Sequence, residues 1–202
     1  MDVILYAEVN VICIIVLTII ATKAMTFGYD QSLKNKLFTF SLWFAVAANL
    51  FDFLWDTGTG MIFSFSLPML WGLNMLYFLC FEGAAFCWFL YAKTRRNKNF
   101  LNSKKRVIFS ALPAAVLALL ILLSCFNGCV FYIDNAGEYH RGAFFWLQPL
   151  LSYGYVFYIF LESIILALKK KNYVRRTELI SVASFSLPIL LAVGIQIHVQ
   201  SI

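Results

Sequence analysis

The sequence predicts an all-α integral membrane protein. It would have six transmembrane helices in one bundle, the N-terminus outside, and a small extracellular β-hairpin between helices 4 and 5. Three observations lead there. First, 62% of the 202 residues are hydrophobic and only 13% are charged, whereas soluble domains are about 45–50% apolar and about 25% charged. Second, the apolar residues form six runs, 3–25, 37–55, 67–91, 107–125, 144–168 and 179–197, each near the roughly 20 residues that a span needs. Third, all but Arg141 of the 16 Lys and Arg residues lie in or beside alternate loops. Lys23, Lys34 and Lys36 flank the first loop. Lys93, Arg95, Arg96, Lys98, Lys104, Lys105 and Arg106 fill the third, and Lys169, Lys170, Lys171, Arg175 and Arg176 the fifth. The positive-inside rule makes those loops cytoplasmic and puts both chain ends outside.

Helices are expected because hydrocarbon offers no partner to backbone N–H and C=O groups. A β-barrel would show alternating segments of about ten residues, and these runs are continuous. The first run does not read as a signal peptide, since Asp2 and Glu8 stand where positive charge belongs. Pro68 suits the first turn of the third helix. Pro113, Pro149 and Pro188 fall inside predicted helices, where each should kink or break its span. No linker, repeat or low-complexity tract interrupts the chain, so residues 1–202 read as one membrane bundle.

The fourth loop departs from its surroundings. "VFYID" and "EYHRG" are strand-like, and "NAG" between them supplies residues that accept positive φ. A lone hairpin is marginal, so it must rest on helix ends or on the membrane interface. Phe131, Tyr132, Tyr139 and Trp146 are its candidate anchors there. Its polar candidates are Tyr132, Asp134, Glu138, Tyr139, His140 and Arg141. Arg141 could hold an anionic ligand. Alternatively it could pair with Asp134, Glu138, Glu8 or Asp52 and lock the hairpin down. The lock is the favoured reading, because acids outnumber the single cation on that side.

Four acids fall within the predicted spans: Glu8, Asp52, Glu82 and Glu162. A charge at the bilayer centre costs roughly 2.5–3.5 kcal/mol on insertion scales, so these side chains should face other helices or lie near an end. Gln148, Ser152, Tyr155 and Glu162 fall within about 80° of helical arc. Asn49 and Asp52 share a face at i, i+3. A polar cavity follows as an expectation. Its outer group is Glu8, Asn10, Asn49 and Asp52; its inner group is Asn74, Glu82, Tyr155 and Glu162, with Gln148 and Ser152 on the same stripe of the fifth helix. Interhelical hydrogen bonding is the favoured reading of these residues, ahead of a ligand or sensing cavity and, last, a proton or ion pathway.

Several classes are excluded. No lysine lies in the membrane core to carry a retinal Schiff base, and both histidines, His140 and His198, are on the outer side. No H-E-x-x-H motif is present. The five cysteines form no metal pattern; Cys125 and Cys129 could form a disulfide, which spacing alone does not establish. No catalytic residue, metal or cofactor is therefore expected, and the chain reads as no enzyme. Nucleic acid is not an expected partner, since the basic loops are short and lack interleaved aromatics. The expected partners are the lipid bilayer, an unidentified small-molecule ligand, and, as an open alternative, a second copy of the chain.

"FYIDNAGEYHRG" followed by "QPLLSYGYVFYI" resembles the multi-pass membrane sensory region at the N-terminus of bacterial GGDEF-type diguanylate cyclases, and the input regions of some membrane histidine kinases. Phe131, Ile133, Tyr139, Arg141, Gly142, Gln148, Ser152 and Tyr155 carry the resemblance. "YAEVNVICIIVL" and "NLFDFLWD" extend it through Glu8, Asn10 and Asp52. The resemblance implies a sensory or signal-input module in the bacterial cytoplasmic membrane. Those relatives continue into a seventh span and a cytoplasmic catalytic domain. With six spans, this chain is expected to be such an input region without its last helix and its enzyme. A small transporter or channel, or a structural membrane subunit, is the alternative.

Overall fold

The computed structural model describes residues 3–27, 32–59, 65–97, 99–169, 176–187 and 190. The element order is α1 (Val3–Phe27), α2 (Leu33–Gly58), α3 (Leu67–Arg96), α4 (Lys104–Asn127), β1 (Phe131–Ile133), β2 (Tyr139–Arg141) and α5 (Leu147–Lys169). All five helices are long and apolar enough to cross a membrane. Residues 176–187 are also helical. Pro188 and most of the remaining predicted sixth span lie outside the described residues. Five such helices, not six, are therefore present among the described residues.

The helices overrun the predicted spans for a physical reason. Lys34 and Lys36 begin α2, Lys93, Arg95 and Arg96 end α3, and Lys104–Arg106 begin α4. Lys and Arg are good helix formers, so polarity stops the apolar run without stopping the helix. Basic residues in the last turn of α3 also suit the negative end of the helix dipole. Ser32, Ser66 and Ser103 occupy the N-cap positions of α2, α3 and α4, and Pro68 sits in the first turn of α3. Pro113 is inside α4 as predicted. Pro149 is not inside α5 in the same sense: residues 143–146 form turns, α5 starts at Leu147, and Pro149 falls in the first turn, where a missing N–H breaks no helical bond.

The chain divides into two compact units, Met1–Leu151 and Ser152–Ile202. In the first, α2 packs on α1 and α3, and α3 also packs on α4 and β1. Its core joins Phe78 of α3, Leu117 and Ile121 of α4, and Val130 and Phe131 at the hairpin root. Much apolar surface stays outside. Ile12 is 61% exposed, Ile108 67% and Phe109 80%. Apolar surface on this scale is unfavourable in water and natural against lipid. The second unit contains the rest of α5 and helical residues 176–187.

Candidate functional site

The strands pair antiparallel, with Phe131 opposite Arg141, Tyr132 opposite His140 and Ile133 opposite Tyr139. Asp134 accepts the N–H of Gly137 on its carbonyl at 3.0 Å, and the N–H of Asp134 reaches the carbonyl of Glu138 at 3.1 Å. Gly137 has φ 84°, which closes a three-residue hairpin loop of Asn135, Ala136 and Gly137. The expected turn chemistry is thus present. Asp134 strengthens it: Oδ1 accepts the N–H groups of Ala136 and Glu138, both at 2.9 Å.

Strand alternation then sorts the side chains. Phe131 is completely buried. It packs on Trp71 and Phe78 of α3, with ring centroids 5.2 Å and 5.3 Å away. Tyr139 lies beside Phe131 and edge-on to Trp55. These two rings face the helix ends, whereas Tyr132 and Trp146 are exposed. The hairpin is therefore anchored mainly by protein core. On the opposite face, Tyr132 stacks on His140, with centroids 4.9 Å apart and planes at 17°. His140 Nε2 lies 3.1 Å from Asp134 Oδ2. Asp134, Glu138 and His140 together bring three ligand-capable atoms within 4.8 Å of one another. The N–H of Glu138, then the His140 side chain, hold the Asp134 carboxyl below its usual range. Burial raises the Tyr139 hydroxyl above its ordinary value, and the Arg141 charge opposes that rise.

The hairpin root is fastened to α4. Gly128 ends that helix in the left-handed region at φ 62°, its N–H bonded to the carbonyl of Ser124. The hydroxyl of buried Ser124 accepts the N–H of Val130 at 2.8 Å. Gly142 donates to the Val130 carbonyl and Phe144 to that of Cys129, both at 2.8 Å. The crossing is so close that a Cβ on Gly142 would overlap the backbone of Gly128 and Cys129. A pocket of about 430 Å³ opens beside this root, lined by Trp71, Cys125, Asn127, Tyr132, Arg141 and Gly142 among others. The Arg141 guanidinium also lies over the Phe145 ring, 4.8 Å from its centroid. Cys125 and Cys129 are both free thiols: Cys125 contacts Met75, while Cys129 contacts Ser124 and the Leu120 carbonyl.

The polar residues of the spans are only partly brought together. In the outer group, Asn10 Nδ2 donates to Asp52 Oδ2 at 3.1 Å, joining α1 to α2. Asn49 instead donates to Ala45 in its own helix, and Glu8 is exposed. In the inner group, Asn74 and Glu82 are buried on α3. The Asn74 amide nitrogen has no hydrogen-bond partner among the described residues. Gln148 lies in the first turn of α5 within the first unit. Ser152, Tyr155 and Glu162 belong to the second unit, where Tyr158 donates to Glu162 at 3.2 Å.

Sequence reasoning missed three participants. Ser124 and Ser41 looked like ordinary small residues of apolar spans, yet Ser41 donates to the Ala84 carbonyl and ties α2 to α3 at 2.8 Å. Asp56 was overlooked because the apolar run ends at 55. The helix does not, so Asp56 sits one turn after Asp52 on the same face, with Oδ2 buried and without a hydrogen-bond partner among the described residues. Compared with protein-family models, curated proteins and solved structures, the chain has no match.

Proposed function

We propose that the chain is a membrane-embedded signal-input module whose hairpin end receives a small anionic ligand. One observation carries the reading: the pocket at the hairpin root, with Arg141 and Asn127 among its walls. Arginine suits carboxylate or phosphate because its donors form a planar fork. Trp71 and Tyr132 add apolar and aromatic surface for the body of such a ligand. The same pocket touches the end of α4 and the root of both strands, so its occupancy would bias the packing of α3 and α4. A ligand shifts such an equilibrium only through unequal affinity for two arrangements. The reading includes six spans with both chain ends outside, supported by the alternation of basic loops. It also includes a bacterial cytoplasmic membrane and kinship with the sensory regions of diguanylate cyclases, both resting on the resemblance of the hairpin and the start of α5 to those regions.

The test uses the purified full chain in lipid nanodiscs. Its melting temperature is followed against a panel of small carboxylates and phosphate esters. One class should raise it saturably, and Arg141→Gln should remove that rise while the hairpin amides keep their exchange protection. A panel without effect, or stabilisation intact in Arg141→Gln, rejects the reading. Proton- or substrate-coupled flux in proteoliposomes, abolished by Glu82→Gln, would replace it with transport.

A further inference from the structure

The geometry points to a divalent transition-metal site on the outward face of the hairpin, formed by Asp134, Glu138 and His140. This inference does not depend on the sensory reading. Three ligand-capable atoms, one from each residue, lie within 4.8 Å of one another. The ligands come from both sides of the turn: Asp134 follows β1, Glu138 precedes β2, and His140 is within β2. An ion there would clip the two strands together.

Two of the three ligands are already oriented. Asp134 Oδ1 is engaged by the Ala136 and Glu138 N–H groups, which leaves Oδ2 to face His140. The His140 ring plane is set by stacking on Tyr132, its cross-strand partner. Such outer contacts orient first ligands in metal sites generally. Metal–ligand bonds of about 2.0–2.2 Å span at most about 4.4 Å between two ligand atoms. The 3.1 Å separation of Asp134 and His140 fits within that limit. Both separations from Glu138 are within 4.8 Å, and because that side chain is exposed it can close any excess of a few tenths of an ångström over the limit. On binding, the cation takes the Nε2 lone pair and sits between Nε2 and Oδ2, while the neutral ring carries its single proton on Nδ1. One imidazole with two carboxylates suits Zn²⁺, Co²⁺ or Mn²⁺ and not the all-oxygen preference of Ca²⁺ or Mg²⁺. Water completes the coordination, because the protein supplies three ligands.

The probe is Co²⁺ alone, titrated into the full-length, tag-free chain in nanodiscs and followed by visible absorption, with Zn²⁺ as competitor. One equivalent should bind saturably, Zn²⁺ should displace it, and Mg²⁺ should not. His140→Gln keeps a polar side chain beside Asp134 but is a poor ligand; it should weaken binding roughly tenfold or more. Asp134→Asn should do the same. Zn²⁺ should also slow hydrogen exchange at the Ala136 and Glu138 amides of the wild type. Binding that is absent up to the millimolar range, or that is unchanged in His140→Gln, overturns the site. Amide protection measured without metal shows whether each variant keeps its hairpin, and a variant that loses it is replaced by Glu138→Gln, which leaves the Asp134–His140 pair intact.

Discussion

Ser124 shows how one hydroxyl can decide whether the hairpin has a root. It bonds the N–H of Val130 in a completely buried position. Ser124→Ala leaves that N–H unsatisfied, at a cost of about 1–3 kcal/mol. Hydrogen exchange should accelerate at Val130 while the middle of α3 stays protected. Phe131→Ala removes a completely buried ring and should cost about 3–5 kcal/mol, detaching the hairpin in the same assay. Gly142→Ala should act as severely, because the added methyl meets backbone and not a movable side chain. Two titrations bound the stable range in metal-free buffer. Asp134 has a lowered folded value, so its contribution is present above the ordinary carboxylate pKa of about 3.9 and is lost as pH falls through the folded value. Tyr139 has a raised folded value, so its contribution is present below the ordinary tyrosine pKa of about 10 and is lost as pH rises through the folded value. Ultraviolet titration should show a late tyrosinate step that Tyr139→Phe lacks.

At the scale of elements, the hairpin and the helices follow different rules. The "NAG" loop is legible from local chemistry, since Gly137 needs positive φ and Asp134 can bond the N–H groups ahead of it. The ends of the helices are less legible. Apolar runs mark where a span must be, but Lys and Arg carry the helix past them, as α3 does to Arg96. Pro149 illustrates the opposite error. Its place within an apolar run suggested a kink, yet the turns after Gly142 delay α5 until Leu147. Pro149→Ala should therefore change stability by no more than about 0.5 kcal/mol, measured by thermal unfolding in nanodiscs. Between elements, Asn10 and Asp52 form an interhelical bond of a kind that contributes about 0.6 kcal/mol. Asn10→Leu should lower resistance to denaturing detergent by a comparable amount, and it should leave the hairpin amides unaffected.

For the whole molecule, the proposed orientation makes a direct prediction. In a cysteine-free background, Asn135→Cys should react with an impermeant maleimide added outside intact cells, and Lys105→Cys only after the membrane is opened. The reverse pattern would invert the topology. The long apolar helices, and the capacity of five of them to cross a membrane, could be read from the sequence alone, because run length and composition are properties of contiguous residues. Strand alternation likewise suggested a hairpin before any contact was known. The sequence did not identify which polar groups meet. Asn10 finds Asp52 across 42 positions, while Asn49, on the same predicted face, bonds its own helix. Ser124 caps Val130, and His140 turns to Asp134. Hydrogen bonds form over about 3 Å, and periodicity places a residue only on a face. That last distance is set by how the helices and strands pack, and tertiary structure alone supplies it.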